Sequence, residues 1–297
     1  GANICIECVE FCSDLIEDQA GYLSQAHGAP ATGPQSDHTE DQAAGSEHPS
    51  DSQESSLDID YAVQKLRMDG YVVLEDLLSL EKISALRERF LELLEERIRN
   101  DPANRGANRY QMFLPFEAPF SDPELYQNPI VLTILEALMG KDLICTYLAS
   151  DTPLPCSDYQ RVHSDTRLLF PETPLALPAY GVVLNVPLVD FTEENGPLEL
   201  WPGGTHLMPG PLDIQRLAAE MKSARLLPRA GSVVLRDLRA WHRGTPNRSD
   251  AARPNLALVY TRPWYRFEQK PIEIPSAVYS ALPESAQRLL RANLIRD

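Results

Sequence analysis

Two residues of metal-binding type lie two positions apart in the segment Val162-His163-Ser164-Asp165. In an extended segment the side chains at i and i+2 point to the same side, so the imidazole of His163 and the carboxylate of Asp165 would project together. Two histidines and one carboxylate leave open coordination positions on a metal, which iron(II) oxygenases use for a cosubstrate and dioxygen. The pair therefore predicts part of a metal site that needs one more histidine, although a surface strand produces the same pattern by itself.

The second histidine has to be His206 or His242, because the other three histidines lie within the first 60 residues. His206 follows the turn-forming run Pro202-Gly203-Gly204-Thr205, and a role in holding that turn by hydrogen bonds would explain it. His242 follows the segment 231–241, which is predicted to be extended, and leads into the polar turn 244–250. The residues alone leave both histidines open.

Arg253 is a candidate anion-binding residue close to this site. If the polar turn is centred on residues 247–248, a hairpin places His242 almost opposite Arg253. A guanidinium presents a planar fork of donors that suits a carboxylate. The alternative is a surface arginine in an ordinary hairpin.

The formal net charge of -16 is concentrated in the N-terminal part of the chain. Residues 1–60 contain thirteen acidic residues and no Lys or Arg, whereas residues 61–297 contain thirty acidic and twenty-seven basic residues. Nucleic-acid binding needs a basic footprint, which neither part supplies, so we expect no nucleic-acid partner. Residues 1–56 are predicted to form an acidic leader with a short helix followed by a disordered linker, and this leader could be a docking element.

The five cysteines favour a reducing compartment, because an odd number in a long chain does not suit a disulfide scaffold. Cys5, Cys8 and Cys12 would share one helix stripe, for which a small apolar face is a better interpretation than a metal cluster. The chain has no run of about 18 apolar residues, which a membrane helix needs, and no basic, apolar signal segment at its start. We therefore expect a cytoplasmic protein without a membrane span.

The elements that must position the candidate residues change in type along the chain. The first half is predicted to be helical with one early strand at 71–74, and the second half to consist of short β-prone runs between turn residues. Such a series of strands favours a sandwich or barrel. The predicted helices cover 61–68, a segment that begins after Ser79, 129–139, 212–223 and 283–295. The later predicted strands cover 144–149, 181–188, 197–201, 232–235 and 257–261.

Taken together, these motifs resemble the phytanoyl-CoA dioxygenase family of iron(II)/2-oxoglutarate-dependent oxygenases over about residues 58–267. No single motif is decisive, but their order and spacing are specific. The motifs are Met68-Asp-Gly-Tyr-Val-Val-Leu74, His163-x-Asp165, Leu188-Val-Asp-Phe-Thr-Glu-Glu-Asn-Gly-Pro-Leu198, Pro202-Gly-Gly-Thr-His206, Gly231-Ser-Val-Val-Leu235, His242 and Arg253.

The resemblance implies a mainly β fold with flanking helices over residues 57–297, a double-stranded β-helix of the jelly-roll, cupin-like barrel type. It implies that His163, Asp165 and His242 bind Fe(II) and form the catalytic centre, and that Arg253 binds the distal carboxylate of the cosubstrate 2-oxoglutarate. Further cosubstrate contacts are expected, with decreasing strength of argument, from Asn185, Tyr147 and Gln111.

Two features of the chain bear on this resemblance. Family members often have a serine or threonine two residues after the distal histidine, whereas this chain has Gly244, so that hydrogen bond would be missing or would come from Thr245. The retained Asp165 argues against the halogenase variants of this chemistry, in which a small residue replaces the carboxylate.

The implied reaction is oxidation of a small-molecule substrate by 2-oxoglutarate and dioxygen, with hydroxylation of an unactivated C–H bond in a largely apolar metabolite as its commonest form. Two alternatives stay open. One is a β-barrel binding or interaction protein without catalytic activity. The other is a barrel enzyme that uses a divalent metal without 2-oxoglutarate, for which Arg253 would not be required. The substrate and the oligomeric state do not follow from the sequence.

Overall fold

The computed structural model describes residues 58–297. The leader helix, the linker and the stripe of Cys5, Cys8 and Cys12 that the sequence predicts lie outside the described residues. Within residues 58–297, no helix is long and apolar enough to cross a membrane.

Helices make up much of the early part of the described chain and occur again near its end. They begin where the sequence offers caps: the side chain of Asp58 accepts a hydrogen bond from the N–H of Tyr61, and the hydroxyl of Ser79 accepts one from Lys82. The helices are α1 (Ile59–Asp69), α2 (Leu80–Asn100), α3 (Pro123–Tyr126), α4 (Pro129–Met139), α5 (Ile214–Glu220), α6 (Ser276–Ala281) and α7 (Glu284–Leu290), with a 3-10 turn at Thr205–Leu207.

The strands form two antiparallel sheets and one short parallel pair. The strands are β1 (Tyr71–Leu74), β2 (Arg109–Phe113), β3 (Ile144–Pro153), β4 (Gly181–Pro187), β5 (Leu198–Leu200), β6 (Ala224–Leu226), β7 (Val233–Asp237), β8 (His242–Gly244), β9 (Asn255–Thr261), β10 (Glu273–Pro275) and β11 (Leu294–Arg296). The larger sheet has the order β1-β7-β4-β9-β3-β2, the smaller has the order β6-β5-β8, and β10 pairs with β11 in parallel. The predicted mainly β architecture with flanking helices is confirmed, and the described strands pair as separate sheets.

The two faces of the larger sheet have different roles, as β4 illustrates. All seven residues of β4 are buried. Val182, Leu184 and Val186 belong to the apolar core that the helices share, whereas Val183 and Asn185 face a cavity on the opposite side. Because side chains alternate along a strand, one face of the sheet packs on helices while the other lines a potential site.

Three sequence predictions about local structure are wrong. The segment 231–241 is not one extended run, because β7 ends at Asp237 and a turn precedes β8. The final helix ends at Leu290, and the chain then forms β11. The hairpin of His242 with Arg253 does not form either: β8 pairs with β5 in the smaller sheet, whereas residues 245–254 cross to the larger sheet, where the N–H of Arg253 donates to the carbonyl of Pro153.

Gly70 joins α1 to β1 at a place where a side chain does not fit. It has a φ of 78°, and an added Cβ would lie 2.8 Å from Nδ1 of His206. We expect Gly70→Ala to lower the free energy of unfolding by about 1–2 kcal/mol because of its positive φ, and further because of the contact with the His206 ring. Urea denaturation would measure both effects.

Gly203→Ala is the matched control for this substitution. Gly203 has a φ of 83°, but an added Cβ there would meet nothing within 4 Å. The Gly203→Ala variant should therefore lose only the stability that the backbone conformation costs. Equal losses in the two variants would contradict the close packing of Gly70 against His206.

Candidate metal centre

His163 and His242 are held beside each other by a pair of backbone hydrogen bonds. The N–H of His163 donates to the carbonyl of His242 at 3.0 Å, and the N–H of His242 donates to the carbonyl of His163 at 2.9 Å. Residues paired in this way across antiparallel strands project their side chains to the same side. The two imidazole rings consequently lie with their centroids 4.3 Å apart.

Asp165 completes a cluster with these two histidines. Its N–H donates to the carbonyl of Leu238 at 2.8 Å, which fixes the backbone two residues after His163. Oδ1 of Asp165 lies 3.8 Å from Nε2 of His163 and 3.5 Å from Nε2 of His242. Ligand atoms that share one ion at about 2.1 Å lie roughly 3–4 Å apart. The donor set and its spacing therefore fit a divalent metal ion, and one ligand atom from each residue lies within 4.8 Å of the others.

Both imidazoles are oriented by a backbone carbonyl two residues earlier in the chain. Nδ1 of His163 lies 2.8 Å from the carbonyl oxygen of Arg161, and Nδ1 of His242 lies 3.0 Å from that of Ala240. A proton on Nδ1 donates to this carbonyl and leaves the lone pair of Nε2 free. Both Nε2 atoms face Asp165, so this tautomer would direct both lone pairs to the same point.

Arg236 lies against two of these side chains, and the sequence reasoning did not identify it. It occupies β7 with 4% of its side chain exposed, and its Nη2 donates to Oδ2 of Asp165 at 2.6 Å. Its Nη1 lies 3.1 Å from Nδ1 of His242. The available signal was a charged residue directly after the apolar run 233–235, since a strand with both faces buried rarely carries an arginine.

The charges around the cluster favour the metal-binding forms of its side chains. Burial alone would raise the pKa of the Asp165 carboxyl, but Arg236 and His242 hold that pKa well below its usual range. Burial, together with Arg236, lowers the pKa of His242 to about 4. At neutral pH the carboxylate is therefore ionised and the His242 imidazole is neutral, as a metal ligand must be.

Arg253 is a buried cation in the same cavity. It is 2% exposed, and its Cζ lies 4.1 Å from the ring centroid of Phe191. Within residues 58–297, no acceptor hydrogen-bonds to its guanidinium, and its Nε is buried without a partner. Burial lowers the pKa of Arg253 to about 9, so the group is still charged at neutral pH. A buried, charged donor group without an acceptor suits an anionic ligand.

The weaker cosubstrate candidates also line this cavity, whose volume is about 190 Å³. Asn185 donates weakly to the carbonyl of Leu256 at 3.4 Å, and its Oδ1 is buried with no partner in the described part of the chain. Gln111 donates to the hydroxyl of Tyr147 at 2.5 Å, and burial raises the pKa of Tyr147 to about 12. The structure thus brings every predicted site residue to one cavity: His163, Asp165, His242, Arg253, Asn185, Tyr147 and Gln111.

Gly244 leaves room for a third buried arginine, Arg109. A Cβ at this position would lie 2.4 Å from Nη1 of Arg109. Arg109 is 1% exposed and donates to Asp151 at 2.8 Å and to the carbonyl of Thr245 at 2.9 Å. The hydroxyl of Thr245 donates to the carbonyl of Pro197, and Thr245 is not among the residues that line the cavity. Of the two alternatives for the missing serine or threonine, this geometry favours the absence of that hydrogen bond over its supply by Thr245.

His206 lies away from the cluster. It is buried in the 3-10 turn, and its Nε2 lies 3.1 Å from the carbonyl oxygen of Arg67 at the end of α1. Burial lowers the pKa of His206. Its position suits a structural residue that ties the turn to the first helix.

The comparison with known families decides which kind of protein carries this site. The family described as phytanoyl-CoA dioxygenase (PhyH) matches residues 66–255. The chain belongs to this family. The match begins within α1 and ends at the first residue of β9, so it includes the three clustered residues and Arg253. The predicted enzyme class, an iron- and 2-oxoglutarate-dependent oxidoreductase, is confirmed by membership of this family together with a cluster of donors that could hold the iron.

Solved structures show the same fold at low sequence identity. The non-haem alpha-ketoglutarate-dependent epimerase SnoN from nogalamycin biosynthesis has a TM-score of 0.53 and 20% identity, over 68% of this chain and 80% of SnoN. The carbocyclase SnoK from the same biosynthesis has a TM-score of 0.55 and 22% identity, over 72% and 87%. AviO1 from Streptomyces viridochromogenes Tue57 has a TM-score of 0.56 and 19% identity, over 70% and 97%. The predicted cupin-like jelly-roll fold, a double-stranded β-helix, is confirmed.

We predict that metal binding depends on His242 and not on His206. His242→Ala and Asp165→Ala should each lose Fe(II) binding, because each removes one of three donors, whereas His206→Ala should bind Fe(II) like the wild type. Anaerobic titration followed by iron determination would measure this, with circular dichroism to check folding. An equal loss of iron in all three variants would mean that His206 has been wrongly excluded.

We predict a coupling between positions 244 and 109. Gly244→Ser should lower the free energy of unfolding by about 1–3 kcal/mol, because the added atoms overlap the guanidinium of Arg109. In an Arg109→Ala background the same substitution should cost less, since the overlapping group is gone. A double-mutant cycle in urea would measure the difference, and strictly additive effects would contradict the contact.

Proposed function

We propose that this protein hydroxylates an unactivated C–H bond of a small, largely apolar metabolite, with Fe(II) held by His163, Asp165 and His242 and with 2-oxoglutarate anchored by Arg253. One observation carries the proposal. A three-donor cluster and a buried guanidinium without an acceptor, among the described residues, line the same cavity. Either feature alone would also suit a purely structural role, but together they match a metal ion and a dicarboxylate.

The three donors leave part of the metal's coordination sphere free. Iron(II) bound here would supply the binding of the 2-oxo acid and the activation of dioxygen. The protein's own contribution is to hold neutral Nε2 atoms and an ionised carboxylate in place before the metal arrives. The backbone pair of His163 with His242 and the carbonyls of Arg161 and Ala240 perform this task.

Arg253 is placed to bind the far carboxylate of 2-oxoglutarate through its planar fork of donors. Phe191 packs on the face of the guanidinium, which keeps that group from turning away from the cavity. The unpartnered Oδ1 of Asn185 and the hydroxyl of Tyr147 offer further polar contacts along the cavity wall. These assignments to the cosubstrate are part of the proposal.

The substrate would bind outside this cavity. A volume of about 190 Å³ lies below the roughly 300–1,000 Å³ of pockets that enclose a drug-sized ligand. A more open groove shares His163, Ser164 and Asp165 with the cavity. Its remaining wall is mixed, so a substrate lying across the metal site would meet both apolar and polar groups there. The apolar residues are Val162, Leu168, Pro171, Leu212 and Ile214, and the polar or charged ones are Arg161, Thr166, Arg167, Asp213, Gln215 and Glu268.

The alternatives from the sequence are less well supported by this site. A non-catalytic binding protein has no need for a metal-binding cluster beside a buried guanidinium that finds no acceptor among residues 58–297. A metal enzyme that does not use 2-oxoglutarate would not need Arg253, whose burial without an acceptor costs stability. SnoN and SnoK are named as an epimerase and a carbocyclase, so the test has to measure the product as well as cosubstrate turnover.

We further propose, from the sequence, that residues 57–297 form the dioxygenase domain, that the leader 1–56 is a separate docking element, and that the protein acts in the cytoplasm. Cys145 and Cys156 support the location, because both are free thiols, one buried and one exposed, as a reducing compartment allows.

The proposed cosubstrate role of Arg253 leads to a specific prediction. Fe(II) followed by 2-oxoglutarate should give a weak visible charge-transfer band under anaerobic conditions, and admission of dioxygen should give succinate. Arg253→Met should raise the dissociation constant of 2-oxoglutarate by roughly 10- to 100-fold, because a charge-assisted hydrogen bond contributes about 1.5–3 kcal/mol, while Fe(II) affinity stays unchanged. Titration of the band would measure this.

Arg248→Gln is the matched control, since Arg248 is an exposed arginine in the same connection and does not line the cavity. Wild-type protein that binds iron but gives no band with 2-oxoglutarate would contradict the proposed function. With candidate metabolites, mass spectrometry should find a product that has gained one oxygen atom. A product that has lost two hydrogens, or an isomer of unchanged mass, would instead assign desaturation or ring closure, or epimerisation.

A further inference from the structure

The two oxygens of the Asp165 carboxylate have different neighbours, because Arg236 binds only one of them. Its Nη2 donates to Oδ2 at 2.6 Å, which is a short, charge-assisted hydrogen bond. Oδ1 is the oxygen that faces Nε2 of both histidines. One carboxylate oxygen is thus committed to the protein, and the other is left for a metal ion.

The side chain of Arg236 has little freedom to release this contact. Arg236 is opposite Val183 of β4 and Tyr71 of β1, inside the larger sheet. It is 3% exposed, and its Nε has no partner within the described part of the chain, so the guanidinium is held there at some cost. Because burying an arginine with an unsatisfied N–H lowers stability, we infer that the other contacts of Arg236 have a function.

The neighbouring His242 limits which hydrogen bond Arg236 can keep when a metal is bound. An arginine only donates, so a hydrogen bond from Nη1 to Nδ1 of His242 would place the imidazole proton on Nε2 and block metal binding. The carbonyl of Ala240, 3.0 Å from the same Nδ1, stabilises the opposite tautomer, in which Nε2 is free. In the metal-binding form the lasting hydrogen bond of Arg236 is therefore the one to Asp165.

We propose that Arg236 is a positioning residue that confines Asp165 to coordination through Oδ1 alone and so keeps one metal position open. The proposal rests on the proposed function, because it assumes that the cluster binds the metal. Three protein donors and a 2-oxo acid bound at two points would occupy five positions of a six-coordinate ion and would leave one for dioxygen. A carboxylate that chelated through both oxygens would fill that position or compete with the cosubstrate.

The coordination of the wild-type protein tests this directly. A crystal structure or X-ray absorption measurement of the full chain loaded anaerobically with Co(II) should show Oδ1 bonded and Oδ2 beyond bonding distance, still hydrogen-bonded to Arg236. Chelation by both oxygens would overturn the proposal. This measurement does not depend on the folding of any variant.

Substitution of Arg236 supplies a second test, read from the visible spectrum of bound Co(II) before any 2-oxoglutarate is added. Arg236→Leu frees Oδ2, so we expect an altered Co(II) spectrum and weaker binding of 2-oxoglutarate. Loss of a partner that orients a metal ligand typically costs about 10- to 100-fold in metal affinity or activity, and we expect a loss of this order. Arg236→Lys keeps a donor and the charge, and it should largely restore the wild-type spectrum.

The matched control is Arg239→Leu. Arg239 is also a buried arginine paired with an aspartate, at 2.8 Å from Asp237, but it does not contact the three donors. We expect it to lower stability and to leave the Co(II) spectrum unchanged. Thermal unfolding of each variant would separate loss of stability from a change at the metal.

The outcomes separate this inference from the function on which it rests. If the guanidinium acted only by attracting an anionic cosubstrate, Arg236→Leu would weaken 2-oxoglutarate binding without changing the Co(II) spectrum, and the proposal would be overturned. A folded Arg236→Leu that binds no Co(II) would also overturn it, because Asp165 would have failed as a ligand. Wild-type protein that binds neither Co(II) nor Fe(II) would contradict the proposed function itself.

Discussion

Two backbone hydrogen bonds between His163 and His242 determine whether a metal site can exist in this chain. His163 belongs to no regular strand, and this isolated bridge, together with hydrogen bonds between Gln160 and Gly244, aligns its segment with β8. Once the bridge is made, the i and i+2 relation between His163 and Asp165 brings the carboxylate to the same side. A contact between distant parts of the chain thus converts a local sequence pattern into a three-donor cluster.

Buried arginines lie around the cavity behind this cluster, and not all of them form an ion pair with an aspartate. Arg109 is matched by Asp151 and Arg236 by Asp165, whereas Arg253 forms no ion pair among the described residues, and the nearby Asp151 is already bonded to Arg109. The chain from residue 61 onward carries a small net negative charge, but the interior of this cavity has an excess of positive charge before a ligand binds. An excess of this kind is expected where a dianion is to be bound, and it explains why a chain of acidic composition can accept one.

The sequence predicted the residues of the site better than their surroundings. His163 and Asp165 could be found because their relation is local, and β4 could be placed because its run is apolar throughout. Arg236 was missed because its role depends on packing between two sheets, which a strand pattern does not reveal. The hairpin of His242 with Arg253 was wrong because the connecting residues move from one sheet to the other. The reason for Gly244 is likewise non-local, since the occupant of its space, Arg109, lies on β2.

The burial of Arg253 without an ion pair among the described residues also has a consequence for the stability of the empty fold. A buried cation that forms no ion pair makes the empty fold less stable. Any dicarboxylate that pairs with it in the folded state alone stabilises that state, and the stabilisation grows with the free concentration of the dicarboxylate. Chaperones and proteases act on the unfolded fraction, so a shift of this kind changes protein abundance. The amount of this enzyme would then follow the supply of its cosubstrate, through turnover of the chain and without a dedicated regulatory site.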